Sequence, residues 1–321
     1  MNNEDNILIT GSAGFIGFSV SKTLLEQGYK IIGLDSLNPY YDVTLKHARN
    51  EILLKFPNYT FYHTDLCDLE GVKKVFKEQR INYICHLAAQ AGVRYSLTHP
   101  FEYEKSNLQG FLHLIHEAQE REVKNFVYAS SSSVYGANKK LPFSESDPVT
   151  TPISLYGATK RSNELIAYSY SHLFKLPCTG LRFFTVYGPW GRPDMALFIF
   201  TKSILEDNPI DVYNHGDMNR SFTYIDDIVQ GVIACLKNPF AYEVFNLGND
   251  KTRSLKDYIR ILEEKLSKKA KQNMMPLQPG DVLETFADLT YVKEKIGFEP
   301  KTDIEEGIGK FVDWYKKYYN K

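Results

Sequence analysis

The stretch Ile7-Leu8-Ile9-Thr10-Gly11-Ser12-Ala13-Gly14-Phe15-Ile16-Gly17 decides the fold. A short apolar run meets a glycine-rich turn at once, the pattern of a buried parallel strand that ends abruptly. Gly11, Gly14 and Gly17 are spaced GxxGxxG, and Phe15, Val20, Leu24 and Leu25 then recur at helical spacing until Gly28, a residue suited to end a helix. Glycine meets three needs in such a loop: a tight turn, close approach of backbone to a pyrophosphate, and close helix–strand contact. The helix start adds free N–H groups and the positive end of a dipole. The loop, with Phe15 and Ile16 inside it, is a candidate dinucleotide site. The alternative, a tight turn without nucleotide, is weakened by the flanking strand and helix.

Outward from this loop, strand and helix patterns alternate. Residues 29–35, 59–63, 83–87, 125–129 and 178–183 read as strands. Residues 69–79, 103–120 and 155–174 read as helices. Such an order predicts an α/β fold, a doubly wound parallel (Rossmann) sheet with helices on both faces. After about residue 185 the pattern turns irregular at Pro189, Gly191 and Pro193, then gives short segments: a turn and strand over 216–227, a helix over 228–237, a strand over 244–247 and a helical tail over 303–319. The expected division is a dinucleotide-binding Rossmann domain over 1–185, with segments returning to it near 222–250, and a smaller C-terminal α/β domain over 186–321 for the substrate.

Asp35 closes the second strand, where a carboxylate can accept ribose hydroxyls and would repel a 2′-phosphate, so NAD is expected over NADP. Asp65-Leu66 follows the third strand and could reach the adenine; Ala88-Ala89 follows the fourth, where small side chains let a cofactor lie against the strand end. Ala88 and Ala89 could also be close packing.

Tyr156 and Lys160 stand at i and i+4, so on a helix they share a face. An ammonium beside a phenol favours phenolate, a general base for a sugar or alcohol hydroxyl. A hydroxyl is expected nearby, and the serines 130–133 follow a strand end, although four serines also suit a plain loop.

The 38 basic and 39 acidic residues leave a net charge of −1, which points to neither nucleic acid nor membrane as a partner. Cys67, Cys85, Cys178 and Cys235 form no CxxC or zinc-ligand spacing, so no metal is expected and the thiols suit a reducing compartment. No apolar run approaches the ~18 residues of a membrane span. The expectation is a cytoplasmic protein.

Together these residues resemble the extended short-chain dehydrogenase/reductase family of NAD-dependent epimerases and dehydratases, over nearly the whole chain. The resemblance rests on GSAGFIG at 11–17, Asp35, HLAA at 86–89, SSSSVYG at 130–136, YGATK at 156–160 and RSFTYIDD at 220–227. Within the family the likeness is greatest to the branch that epimerises UDP-glucuronate at C4, through LDSLNPYYD at 34–42, AAQAGVRYS at 88–96, RFFTVYGPWGRPDMA at 182–196 and QPGD at 278–281.

The resemblance implies that Tyr156 is the base, Ser131 the catalytic hydroxyl, and Lys160 the support of both tyrosine and nicotinamide ribose, with Asn107 behind them in the cofactor site. It implies that Arg220 contacts the UDP phosphates and that Asp281 lies near the uridine ribose. Thr185 stands where galactose epimerases carry asparagine. Ser131, Ser132, Thr185 and Arg192 are the candidate grip on a sugar carboxylate; Arg94 is another, with a structural salt bridge as its alternative role. Dehydratase and decarboxylase relatives place acids just before VYG, where this chain has Ser132 and Ser133. The implied product is a UDP-galacturonate used in polysaccharide biosynthesis, and the implied assembly is a homodimer. Other UDP-sugar 4-epimerases, acting on UDP-glucose or a UDP-N-acetylhexosamine, stay open, as do a UDP-glucuronate decarboxylase and a catalytically silent NAD-sensing module.

Overall fold

The structure is a computed structural model that describes residues 1–277 and 284–321. The strands are β1 (Asn6–Thr10), β2 (Lys30–Asp35), β3 (Tyr59–His63), β4 (Tyr83–His86), β5 (Asn125–Ser131), β6 (Cys178–Phe183), β7 (Thr185–Tyr187), β8 (Ile210–Tyr213), β9 (Asn219–Tyr224), β10 (Tyr242–Leu247), β11 (Thr252–Ser254), β12 (Gln272–Met275) and β13 (Glu284–Thr285). Seven of them form one parallel sheet in the order β10-β6-β5-β4-β1-β2-β3. The chain order reverses between β1 and β4, so their C-terminal ends open a crevice, the usual ligand site of such sheets.

Both faces of β1 are buried: Ile7 and Ile9 point into one apolar cluster and Leu8 into the other. That explains why the strand is a continuous apolar run rather than an alternating one. The first face is covered by the helices Phe15–Glu26 and Ile225–Lys237, the second by Leu69–Glu78, Gly110–Glu120 and Leu155–Phe174. The expected helix over 103–120 is interrupted: residues 104–109 form a π-helical turn between Pro100–Tyr103 and Gly110–Glu120. Such turns break helical register and cluster at functional sites. A helix over Val43–Leu53, capped by the Asp42 carboxylate on the Thr44 N–H, lies in a part of the sequence that offered no clear pattern.

Of the later segments, β10 returns to the large sheet beside β6, while β7, β9, β11 and β13 make a separate small sheet and β8 pairs with β12. No helix among the described residues is long and apolar enough to cross a membrane.

Candidate active site

A cleft of about 350 Å³ opens at the C-terminal ends of β1, β2, β4 and β5. Gly11, Gly14, Phe15, Ile16, Gly17, Asp35, Asp65, Leu66, Ala88 and Ala89 all line it. Its shape depends on absent side chains. Gly11 has φ +71, and a Cβ there would stand 2.8 Å from the Ala88 backbone nitrogen; a Cβ on Gly17 would overlap the Gly11 carbonyl oxygen. The glycines thus let the turn, the helix start and the end of β4 close up on one another, which brings bare backbone to the cleft wall. Asp35 accepts N–H bonds from Ala13 at 3.1 Å and Leu37 at 2.8 Å, so its carboxylate is fixed at the rim, beside the glycine turn. The Asp65 carboxylate is likewise held by the Cys67 N–H.

Ser131, Tyr156 and Lys160 meet at the inner end of the same cleft. Ser131 is the last residue of β5, and Tyr156 sits in the first turn of the helix Leu155–Phe174, whose start is capped by the Ser154 hydroxyl on the Gly157 N–H. Burial pushes the Tyr156 phenol above its ordinary pKa, while a hydrogen bond with Ser131 and the charge of Arg192 pull it back. The Lys160 ammonium donates to the Ala129 carbonyl at 2.8 Å, and burial lowers it to about 7. The lysine is aimed at β5, and the groups opposing the tyrosine's upward shift are a serine and an arginine.

Asn107 does not line the cleft. Buried in the π-helical turn, it accepts from the Gln90 N–H at 2.8 Å and donates to the Gln90 carbonyl and the Thr159 hydroxyl at 3.0 Å each. It ties the loop after β4 to the helix carrying Tyr156. On that helix Glu164 is fully buried and takes a two-pronged contact from Arg182 of β6, at 2.9 and 3.0 Å, with Ser130 and Arg161 also bonding it.

Arg192 lines the main cleft and, with Thr185, a smaller apolar cavity beside it. Thr185 opens β7. Ser132 begins a short 3-10 turn whose cap is the Ser131 hydroxyl, and is absent from the walls of both cavities. Arg94 stacks its guanidinium over the Tyr213 ring at 4.6 Å, and Arg220 lies on β9 and donates to the Asn219 carbonyl. Neither arginine lines the main cleft. Asp281 lies outside the described residues.

Several residues at the site carried no isolated signal in the sequence. Tyr40, Tyr41 and Lys46 line the cleft from the loop and helix after β2. The fully buried Arg49 donates to the carbonyls of Ala13, Trp190 and Gly191 and to the Tyr41 hydroxyl, pinning the glycine turn to the loop that bears Arg192. Tyr40 and Tyr41 stand within LNPYYD and Asp194 within GRPDMA, so the motifs marked the segments but not the contacts.

Residues 7–248 match the model of the NAD dependent epimerase/dehydratase family. UDP-glucuronate 4-epimerase 4 of Arabidopsis thaliana is 45% identical over 99% of this chain and 77% of its own length. The crystal structure of a UDP-glucuronic acid 4-epimerase from Bacillus cereus, in complex with UDP-glucuronic acid and NAD, superposes with a TM-score of 0.91 at 34% identity, covering 98% of this chain and all of that one. A UDP-glucose 4-epimerase from Thermotoga maritima, solved with UDP-glucose, gives 0.89 at 32% identity, over 98% of this chain and 99% of that one. With the cradle, the Ser131–Tyr156–Lys160 group and these likenesses in agreement, the chain belongs to the NAD dependent epimerase/dehydratase family.

Proposed function

We propose that this protein is a NAD-dependent 4-epimerase that interconverts UDP-glucuronate and UDP-galacturonate. The observation that carries the substrate is Arg192: a guanidinium that lines the same cleft as Tyr156, close enough for its charge to act on the phenol. A neutral hexose has no use for such a cation, whereas a uronate carboxylate does. Uronate and glucose epimerases share this fold; this side chain and the 45% identity to the plant uronate enzyme support the uronate.

Tyr156 takes the proton from the sugar O4, assisted by the Ser131 hydroxyl, which then supports the C4 carbonyl oxygen. Bound NAD would supply a hydride acceptor for C4 and, for the return, a donor. Gly11, Gly14 and Gly17 admit its pyrophosphate to the helix start, Phe15 and Ile16 wall it, Asp35 takes its ribose hydroxyls, and Asp65, Leu66, Ala88 and Ala89 enclose the adenine side. Lys160 holds the nicotinamide ribose, and Asn107 positions the tyrosine helix. Ser131 and Arg192, which line the cleft, grip the carboxylate with Thr185 from the adjoining cavity; Ser132, expected among them, lies off both walls. Arg220 and Asp281 serve the nucleotide half of the substrate. The 4-keto uronate is a β-keto acid prone to lose CO2, and serine at 132 and 133 keeps acids away from it.

The division into a NAD-binding part over 1–185 and a nucleotide-sugar part over 186–321 accords with the glycine cradle in the first and the small sheets in the second. The four cysteines are free, in keeping with a cytoplasmic enzyme that supplies uronate for polysaccharide biosynthesis. A homodimer accords with Leu112, Leu165, Tyr168 and Leu173, all exposed on the helices Gly110–Glu120 and Leu155–Phe174; Leu165→Glu should then lower the mass measured by sedimentation.

The deciding experiment incubates the protein with UDP-glucuronate and resolves the products. UDP-galacturonate as the main product is expected. UDP-pentose as the main product would favour the decarboxylase, and turnover of UDP-glucose alone the neutral-sugar epimerase.

A further inference from the structure

Arg192 is already engaged by a carboxylate of its own loop. Its Nε donates to Asp194 Oδ1 at 3.0 Å and its Nη2 to Oδ2 at 2.5 Å. Asp194 Oδ2 also accepts from the Tyr40 hydroxyl at 3.1 Å, and the guanidinium stands over the Tyr40 ring. Both members of the ion pair keep some exposure, 23% for the arginine side chain and 30% for the aspartate. The backbone beneath them is fixed. Arg49 holds the Trp190 and Gly191 carbonyls, Gly191 N–H bonds the Gly188 carbonyl, and Met195 N–H bonds the Arg192 carbonyl. Motion at this corner therefore belongs to side chains, not to the loop.

The chemistry of epimerisation makes demands on this corner. Hydride must leave one face of C4 and return to the other, so the 4-keto ring turns between the two transfers. The carboxylate is on C5, next to the reacting carbon, and turns with it. An arginine that had only the sugar carboxylate for a partner would be left as a part-buried, unpaired charge at each turn, which is strongly disfavoured. It would hold the ring in one orientation.

We propose that Asp194 is an exchangeable counter-ion for Arg192: it competes with the sugar carboxylate for the guanidinium, and takes it back whenever the keto sugar lets go and turns. This role rests on the uronate epimerase reading above. Asp194 is a positioning residue, acting through Arg192 without touching the sugar. It lowers affinity for an acidic sugar and speeds the turn, so it exchanges tight binding for turnover. Tyr40 holds the aspartate while the sugar holds the arginine, so neither carboxylate is left without a donor.

The test is Asp194→Asn, which keeps the shape and the Tyr40 hydrogen bond and removes the charge. In the Tyr156→Phe background, where chemistry is blocked, titration calorimetry with UDP-glucuronate should show about tenfold tighter binding, the effect of one charge at a part-exposed site. Binding of UDP-glucose should not change. In the active enzyme, KM for UDP-glucuronate should fall, kcat should fall with it, and reduced nicotinamide, followed by its absorbance, should stand higher in the steady state because the keto sugar waits to turn. Tyr40→Phe, which removes the hydroxyl that holds the aspartate, should shift KM less. Weaker binding of UDP-glucuronate to Asp194→Asn, or an equal change for both sugars, would overturn the proposal and make Asp194 a brace for the loop. If the parent enzyme leaves UDP-glucuronate unchanged, the epimerase reading fails, and the calorimetric comparison still decides whether Asp194 competes with a bound carboxylate.

Discussion

Two arginine–carboxylate pairs of the same two-pronged geometry lie in this molecule, and their surroundings give them different work. Arg182 and Glu164 meet at 2.9 and 3.0 Å with side-chain exposures of 3% and 0%; the carboxylate accepts further bonds from Ser130 and Arg161, and the remaining guanidinium nitrogen donates to the Tyr135 hydroxyl. Arg192 and Asp194 meet in the same fork but at the wall of an open cleft, with one tyrosine beside them. The first pair joins β6 to the helix of Tyr156, residues far apart in sequence; the second joins neighbours in one loop. Sealed from water, the first cannot change partner without exposing a bare charge. The second stands where a ligand can offer a replacement. Geometry alone does not distinguish a brace from a binding group; burial and the supply of alternative partners do.

The largest effect should come from breaking the sealed pair. Glu164→Ala leaves Arg182 buried and unpaired, a loss of about 3–5 kcal/mol, read from urea unfolding. Asp194→Ala should cost less than about 1 kcal/mol in the same assay, as a part-exposed pair does. Equal losses would erase the distinction drawn here.

Next in size is the effect on catalysis. Arg192→Ala removes a charge-assisted contact, so kcat/KM for UDP-glucuronate should fall about 10- to 150-fold with unfolding little changed. A neutral UDP-hexose, if turned over, should be hardly affected. Equal harm to both sugars would place Arg192 on the nucleotide or in the framework of the loop.

The smallest effect is a pH dependence. Burial alone would raise the Glu164 carboxyl, but its bonds to Arg182 and Ser130 outweigh that and hold it below its ordinary pKa. A carboxylate depressed on folding binds fewer protons folded than unfolded. Its stabilisation is complete above the usual carboxylate pKa of ~4.3 and drains away as the pH falls through the folded value. In Glu164→Gln, the fall of the melting temperature below about pH 5 should be shallower than in the parent. Asp194 is also held low, by Arg192 against burial, yet its exposure should make Asp194→Asn nearly superimposable on the parent in this limb. A flattening as large as that of Glu164→Gln would show that the loop pair stabilises the fold.

The sequence by itself determined what is local. Glycines at 11, 14 and 17 dictate a turn that only glycine can make, apolar spacing marks the strands and helices, and i, i+4 spacing puts Tyr156 and Lys160 on one face; these follow from backbone geometry within a few residues. The helix spans 155–174 and the strand 178–183 are read from sequence with the same bounds that the structure shows. Tertiary structure alone decided the rest. That Lys160 turns to the Ala129 carbonyl, that Arg49 joins the glycine turn to Gly191, and that Tyr40 meets Asp194 across 154 residues of chain depend on contacts between segments remote in sequence. No periodicity records such contacts. A charged side chain reads the same in a sequence whether it is solvated, sealed in a brace or poised at a cleft, because what separates these states is the dielectric and the partners that folding brings around it.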